Sequence, residues 1–279
     1  MKELVVIKGA GDIATGIAHR LHRSGFAVVM TELPLPTVIR RTAAFAEAVF
    51  AEQTVVEGVT AVRTEVADAL KAVARGRVAV VVDPEAAAVR VLNPLAVVDA
   101  IIAKKNTGTK LGDAPIVIGV GPGFVAGRDV HAVVETARGH YLGRVIDQGA
   151  ALPDTGTPGA IAGYAKERII RAPRQGVFKA ARRIGDPVAA GDVIGAVDGA
   201  PVRAELSGVL RGLLHDGLAV AAGMKIGDID PRGVPEYCYS ISDKARAVGG
   251  GVLEAIFLRS AGLRVFGAGC RQAAEPARC

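Results

Sequence analysis

Tryptophan is absent from this chain, and only four tyrosines and seven phenylalanines occur in 279 residues. That scarcity rules out a set of aromatic platforms for stacking single-stranded nucleic acid. The core must instead come from Val, Ala, Ile and Leu, a composition that suits a parallel sheet covered by helices. Cysteine is scarce too. Cys238, Cys270 and Cys279 form neither a disulfide framework nor a zinc knuckle. No apolar run approaches the ~20 residues that span a bilayer, and no leader with a long apolar segment precedes the first strand. The expectation is a cytoplasmic protein that engages neither membrane nor nucleic acid. At roughly 100–200 residues per domain, its length suits two domains.

The net charge is +6. Residues 166–183 hold Lys166, Arg168, Arg171, Arg174, Lys179, Arg182 and Arg183 against a single acid, Glu167. This stretch reads either as a solvated connection between domains or as a rim that attracts a small anionic ligand or an acidic partner.

Residues 4–32 organise the rest. An apolar run (4–8), a glycine turn, an amphipathic helical stretch and a second apolar run (26–31) read as β-α-β. Gly9 lets the chain turn, and Gly11 removes a side chain where a phosphate would approach the backbone. The start of the helix, with Asp12 and Ile13, presents free amides to an anion. Glu32 closes the second strand, where an acid accepts hydrogen bonds from ribose hydroxyls. Arg40 and Arg41 follow, suited either to a phosphate or base face or to a plain surface helix turn.

Further along, 54–57 and 78–82 read as strands, 66–74 and 95–105 as helices, and 115–120 as another buried strand. Asn93 and Pro94 are placed as cap and first residue of the 95–105 helix. A second glycine loop, 121–127, includes Gly121 and Gly123, whose backbone allows close approach to a ligand. Beyond it lie His131, Glu135, Arg138 and His140. That set reads as anion or cofactor contacts, as structural hydrogen bonding, or, less well, as metal ligands. Its spacing fits no established zinc pattern, so no metal site is assigned. The expected cofactor contacts are therefore Gly9, Gly11, Asp12, Ile13, Glu32, Arg40, Gly121, Gly123, Glu135 and Arg138. His131, His140 and Cys238 are the candidate catalytic groups.

A Gly/Pro/Asp/Thr-rich loop at 147–163 marks the boundary of the first domain, 1–165. From 166 to 235, short β segments alternate with Gly-Asp pairs, which reads as a small all-β barrel or sandwich. Its pattern resembles the biotinyl and lipoyl barrel-sandwich, but the hairpin at 198–205 has no lysine to carry a prosthetic group. A helix within 236–262, interrupted at Gly249-Gly250-Gly251, then packs back on the first domain, and 263–279 reads as a flexible tail. The expected fold class is an α/β Rossmann-like N-terminal domain, a barrel-sandwich domain and a C-terminal helix.

Five long motifs in one order extend these readings: KGAGDIATGIAHRLHRSGF (8–26), TELPLPTVIRR (31–41), GPGFVAGRDVHAVVETARGHYLGRV (121–145), KIGDIDPRG (225–233) and ISDKARAVGGGVLEAI (241–256). With them the chain resembles the YqeB family, which is associated with selenium-dependent molybdenum hydroxylases. The resemblance implies an accessory or maturation role. The protein would bind a nucleotide or the nucleotide form of the molybdenum cofactor and meet a molybdenum hydroxylase or its cofactor-handling proteins. Two alternatives stand beside it. One is an NAD(P)-dependent oxidoreductase with His131 or His140 as proton donor. The other is a non-enzymatic adaptor that docks a hydroxylase. Whether a reaction is catalysed, and whether the chain forms a homo-oligomer, are left open.

Overall fold

The computed structural model describes residues 2–156 and 159–268. The first apolar run forms β1 (Leu4–Lys8), followed by α1 (Asp12–Arg23) and β2 (Ala27–Glu32). In α1, Ala14, Ile17, Ala18 and Leu21 recur at helical spacing and are buried. The helix stops where Gly25, at φ +95°, lets Phe26 N–H donate to the Leu21 carbonyl and Gly25 N–H to that of His22.

The chain continues through α2 (Ala48–Ala51), the hairpin β3 (Gln53–Val56) and β4 (Val59–Arg63), α3 (Val66–Ala74), β5 (Val78–Val82), α4 (Ala88–Leu92) and β6 (Ala96–Asp99). Then come β7 (Ile116–Val120), β8 (Val125–Ala126), β9 (Ala132–Val134), β10 (Val145–Ile146) and β11 (Gly149–Ala150). Nine of these strands make one sheet in the order β10-β9-β7-β6-β1-β2-β5-β4-β3. The pairs from β4 through β9 are parallel, and β3 and β10 join antiparallel at the edges. Strand order reverses at β1: β2 and β5 lie on one side of it, β6, β7 and β9 on the other.

A second lobe is all β: β12 (Ile169–Arg171), β13 (Gly176–Ala180), β14 (Pro187–Val188), β15 (Val193–Val197), β16 (Ala200–Arg203), β17 (Gly208–Leu213), β18 (Ala219–Val220) and β19 (Lys225–Asp230). They form two four-stranded sheets, β12-β19-β17-β14 and β16-β15-β13-β18, around Phe178, Ile194, Leu210 and Leu213. The chain then returns to the first sheet as α5 (Asp243–Ala268).

The expectation of a Rossmann-like domain joined to a barrel-sandwich and a helix is corrected by this architecture. The large sheet is mixed, with an antiparallel strand at each edge. The connections from β6 to β7 and from β7 to β9 carry no α-helix. The apolar face they leave bare is covered by α5, which packs on α1, β7, β9 and β10. The second lobe is a pair of separate four-stranded sheets.

The helix expected at 95–105 is a strand instead. Asn93 adopts a left-handed conformation at φ 44° and ends α4, so Pro94 leads toward β6 rather than into a helix. The run 96–99 pairs with β1 and β7, and that burial outweighs its local helical signal. Of the expected tail, 263–268 belong to α5, and 269–279 lie outside the described residues.

The triple glycine does not interrupt α5. A Cβ on Gly249 would meet the Gly16 carbonyl oxygen at 2.9 Å, and one on Gly251 would overlap the carbonyl oxygen of Gly143. Gly16 is restricted in turn, with Ala245 Cβ at 2.6 Å from its own virtual Cβ. Gly250 faces open space. Among the described residues no helix is long and apolar enough to cross a membrane. In chemical denaturation, Gly251→Ala should destabilise by about 1–3 kcal/mol through overpacking. Gly250→Ala should be neutral or stabilising by up to about 1 kcal/mol. Equal effects at the two positions would remove the close-packing explanation.

Candidate functional site

A crevice of about 420 Å³ opens at the carboxyl ends of β1, β2, β5 and β6, where the strand order reverses. Ligands of open α/β sheets bind at such a point, and the volume lies within the range of small-molecule sites. Gly9, Gly11, Asp12 and Ile13 form one wall. Glu32, Arg40, Asp83, Ile102, Lys225 and Asp228 complete much of the rest.

The two glycines of the first turn do different work. Gly9 has φ +91°, and a Cβ there would sit 3.2 Å from the Ala100 oxygen and from Ile101 Cα. Both the turn and the packing require glycine. Gly11 has an ordinary φ of −65°. A Cβ on it would meet only Val38 Cγ2, at an unstrained 3.6 Å.

Glu32 is fixed from two sides. The Ala10 N–H donates to its Oε2 and the Leu33 N–H to its Oε1, each at 2.8 Å. Burial pushes its carboxyl above the usual glutamate value, against the opposing effect of those two amides. Asp83, at the end of β5, accepts the Ala88 N–H at 2.7 Å and so caps the turn into α4. Under the crevice, buried Lys8 donates to Thr109 Oγ1 at 2.6 Å, and Thr109 donates to Asp99 Oδ2 at 2.6 Å. That chain ties down the loop after β6. Ile102, on the crevice wall, holds φ +60°. For a β-branched residue this strain costs on the order of 1–3 kcal/mol.

The second lobe supplies a charged wall. The Arg40 guanidinium donates to Asp12 Oδ2 at 3.2 Å and to the carbonyls of Tyr237 and Ser240 at 3.0 and 2.9 Å. Arg168 Nη2 donates to both oxygens of Asp228 at 2.8 and 2.9 Å, and Arg232 forks onto Asp230 through Nε and Nη2 at 2.9 and 2.6 Å. Arg211 has its carboxylates, Asp228 and Asp230, only at 3.8 Å. Burial lowers the pKa of Arg211, helped by the neighbouring Arg40 charge, and burial also lowers that of Lys225.

Of the sequence-derived contacts, Gly9, Gly11, Asp12, Ile13, Glu32 and Arg40 meet at this crevice. Gly121, Gly123, Glu135 and Arg138 do not line it. A Cβ on Gly123 would strike the Lys105 backbone at 2.7 Å, and one on Gly121 would strike Thr136 Oγ1 at 2.7 Å. That loop buttresses the crevice rim instead of touching its interior. Glu135 accepts the N–H groups of Thr136, Ala137 and Leu152 at 2.7, 2.7 and 2.8 Å, bracing its own loop. It also lines a separate cavity of about 590 Å³ with Tyr141 and Arg144. Arg138 makes a two-pronged pair with Asp243 at 2.6 and 2.8 Å, which holds that carboxyl far below its ordinary pKa.

The three catalytic candidates occupy three different surroundings. His131 Nδ1 accepts the Val117 N–H at 2.9 Å, and burial followed by Arg259 lowers its pKa. His140 is exposed, edge-on to Tyr141. Cys238 is fully buried in the second lobe's core, and burial raises its thiol pKa away from reactivity. Among the described residues no group of three His, Cys, Asp or Glu side chains is placed to hold a metal ion. Lys225 and Asp228 were not among the expected contacts. They sit in the quoted 225–233 motif, but nothing local signals that β19 reaches back to the crevice. Because Arg168 and Asp228 are 6% and 4% exposed, Arg168→Met should leave a buried charge short of its main partner. The expected loss in equilibrium unfolding is about 3 kcal/mol. A loss below about 0.5 kcal/mol would mean that Arg211 and Lys225 carry Asp228 alone.

No family model matches the chain. It is 54% identical over 257 residues to the uncharacterized protein YqeB of Escherichia coli (strain K12), a match that covers 92% of this chain and 48% of that protein. The chain thus spans about half the length of the curated relative it matches. Among solved structures, it resembles an aspartoacylase family protein from Mesorhizobium loti at 13% identity, over 82% of this chain and 84% of that one, with a TM-score of 0.26. A succinylglutamate desuccinylase from Silicibacter sp. matches at 13% identity over the same shares, with a TM-score of 0.24. A succinylglutamate desuccinylase/aspartoacylase from Rhodobacter sphaeroides matches at 24% identity over 23% of this chain and 22% of that one, at 0.20. The expected maturation role for selenium-dependent molybdenum hydroxylases, with its oxidoreductase and adaptor alternatives, is corrected by these matches, which run to desuccinylase and aspartoacylase-family structures. At TM-scores of 0.20 to 0.26 the likeness assigns no activity in its place. The identity to YqeB, extending over 92% of the chain, supports membership of the YqeB family.

Proposed function

We propose that the crevice at the carboxyl ends of β1, β2, β5 and β6 binds a nucleotide, with a phosphate at the start of α1 and the ribose at Glu32. The observation that carries this reading is Gly11. Neither its backbone angle nor its neighbours demand glycine. Its missing side chain leaves the first amides of α1 open toward the crevice, the arrangement by which a helix start takes a phosphate. Glu32 supports the same reading. It stands at the end of β2, oriented by two amides, with lone pairs left to accept ribose hydroxyls. Val38, Ile101 and Ile102 offer an apolar surface to a base.

Binding is measured by thermal shift and calorimetry with ATP, CTP, NAD and NADP. A ligand at 100 times its Kd should stabilise the protein by roughly 2.7 kcal/mol. Gly11→Ala should leave unfolding within about 0.5 kcal/mol of the parent and weaken nucleotide binding by about tenfold or more, roughly 1.4 kcal/mol. A well-folded Gly11→Ala protein with undiminished affinity would sink the proposal.

Affinity should also depend on pH through Glu32. Its raised pKa means that it takes up a proton at a higher pH than an ordinary glutamate. Affinity should be full above that value and decline as pH falls through it. The unliganded protein should lose a little stability as pH rises through the same interval. In Glu32→Gln this decline should disappear. A parent protein whose affinity is flat down to the ordinary glutamate range would contradict the role given to Glu32.

A further inference from the structure

We propose that Lys225 forms a second anion subsite in the crevice it shares with the start of α1, so that the ligand carries at least two linked phosphates: a nucleoside diphosphate or triphosphate, or a dinucleotide. This inference rests on the nucleotide reading and adds the ligand class and a residue that selects it.

Lys225 opens β19 and lines the same crevice as Gly11, Asp12 and Ile13, close enough for the Asp12 charge to act on it. Among the described residues its ammonium has no hydrogen bond, and its carboxylate, Asp228 Oδ1, lies at 3.8 Å. Both oxygens of Asp228 already accept from Arg168 Nη2. Behind it, Arg211 is 8% exposed and has no carboxylate nearer than 3.8 Å. Among the described residues the buried Nε atoms of Arg40 and Arg211 have no hydrogen-bond partner, and Arg40, 7% exposed, itself lines the crevice.

Four cations (Arg168, Arg211, Lys225 and Arg232) share two carboxylates, Asp228 and Asp230, while Arg40 pairs separately with Asp12. Desolvated cations in excess of their carboxylates are costly, and a phosphate oxygen is an acceptor that compensates them. Two of the set are about equally exposed, Lys225 at 40% and Arg232 at 42%, but Arg232 is pinned by two hydrogen bonds to Asp230, which leaves Lys225 with room to move. In this proposal one phosphate sits on the α1 amides and the next phosphate of a diphosphate meets Lys225, a contact that a monophosphate lacks.

Calorimetry with AMP, ADP and inorganic pyrophosphate on the parent protein, Lys225→Ala, Lys225→Arg and Glu32→Ala tests this. Denaturation curves establish that each variant folds. The parent should bind ADP about tenfold or more tighter than AMP. Lys225→Ala should bring that ratio to about one without changing AMP affinity, and Lys225→Arg should restore most of it. Glu32→Ala should weaken AMP and ADP alike and leave pyrophosphate binding intact. An ADP preference that survives in Lys225→Ala would overturn the subsite and leave the nucleotide reading standing. Pyrophosphate binding that is lost in Lys225→Ala, with no binding of either nucleotide, would overturn the nucleotide reading and sustain the anion subsite. Binding of none of the three would overturn both.

Discussion

The Arg40 guanidinium is the interaction on which the crevice depends. It reaches Asp12 in the first turn of α1 and two carbonyls, Tyr237 and Ser240, just before α5 begins. Next to it the Ile39 carbonyl accepts the Leu213 N–H of β17 at 2.7 Å, and Arg41 Nε donates to the Leu213 carbonyl. The 39–41 segment therefore joins the start of α1, the entry to α5 and the second lobe at one point. Three fixed acceptors hold the terminal nitrogens of this buried cation in place, which ties the junction together.

The other half of the frame is close backbone packing. Gly16 of α1 and Gly249 of α5 let the two helices approach until a side chain would strike the neighbouring backbone, and Gly251 does the same against Gly143. Helical glycine costs roughly 1 kcal/mol relative to alanine, a cost offset here by apolar surface that no crossover helix covers. Val248, Val252 and Ile256 of α5 are fully buried on that surface. The helix that covers the sheet thus comes from the end of the described chain, beyond the second lobe, which has a core of its own.

How much of this is legible in the sequence depends on the range over which each feature is decided. The β1-α1-β2 unit is local: an apolar run, a glycine turn, an amphipathic helix and a terminal acid all speak within 4–32, and six of the expected contacts meet at the crevice. Asn93-Pro94 is ambiguous locally, since the same pair caps a helix or ends one. The choice was made by β1 and β7, which take 96–99 as a strand between them. The glycines of 121–127 carry the same local signal as a ligand-binding loop, yet they serve the contacts of Gly123 with Lys105 and of Gly121 with Thr136. His131 and Glu135 likewise look reactive in a string of residues and act as braces once their backbone partners are in place. Lys225 was invisible for the opposite reason. Its neighbourhood is assembled from two lobes far apart along the chain.

We propose that ligand chemistry is confined to the crevice formed by the start of α1 and the start of β19. Hydrogen–deuterium exchange with and without saturating ADP addresses it most directly. Slowed exchange at 9–14 and 225–228, with 131–152 unchanged, is the result expected. Unchanged exchange at 9–14, or protection centred on the cavity of Glu135 and Tyr141, would contradict it.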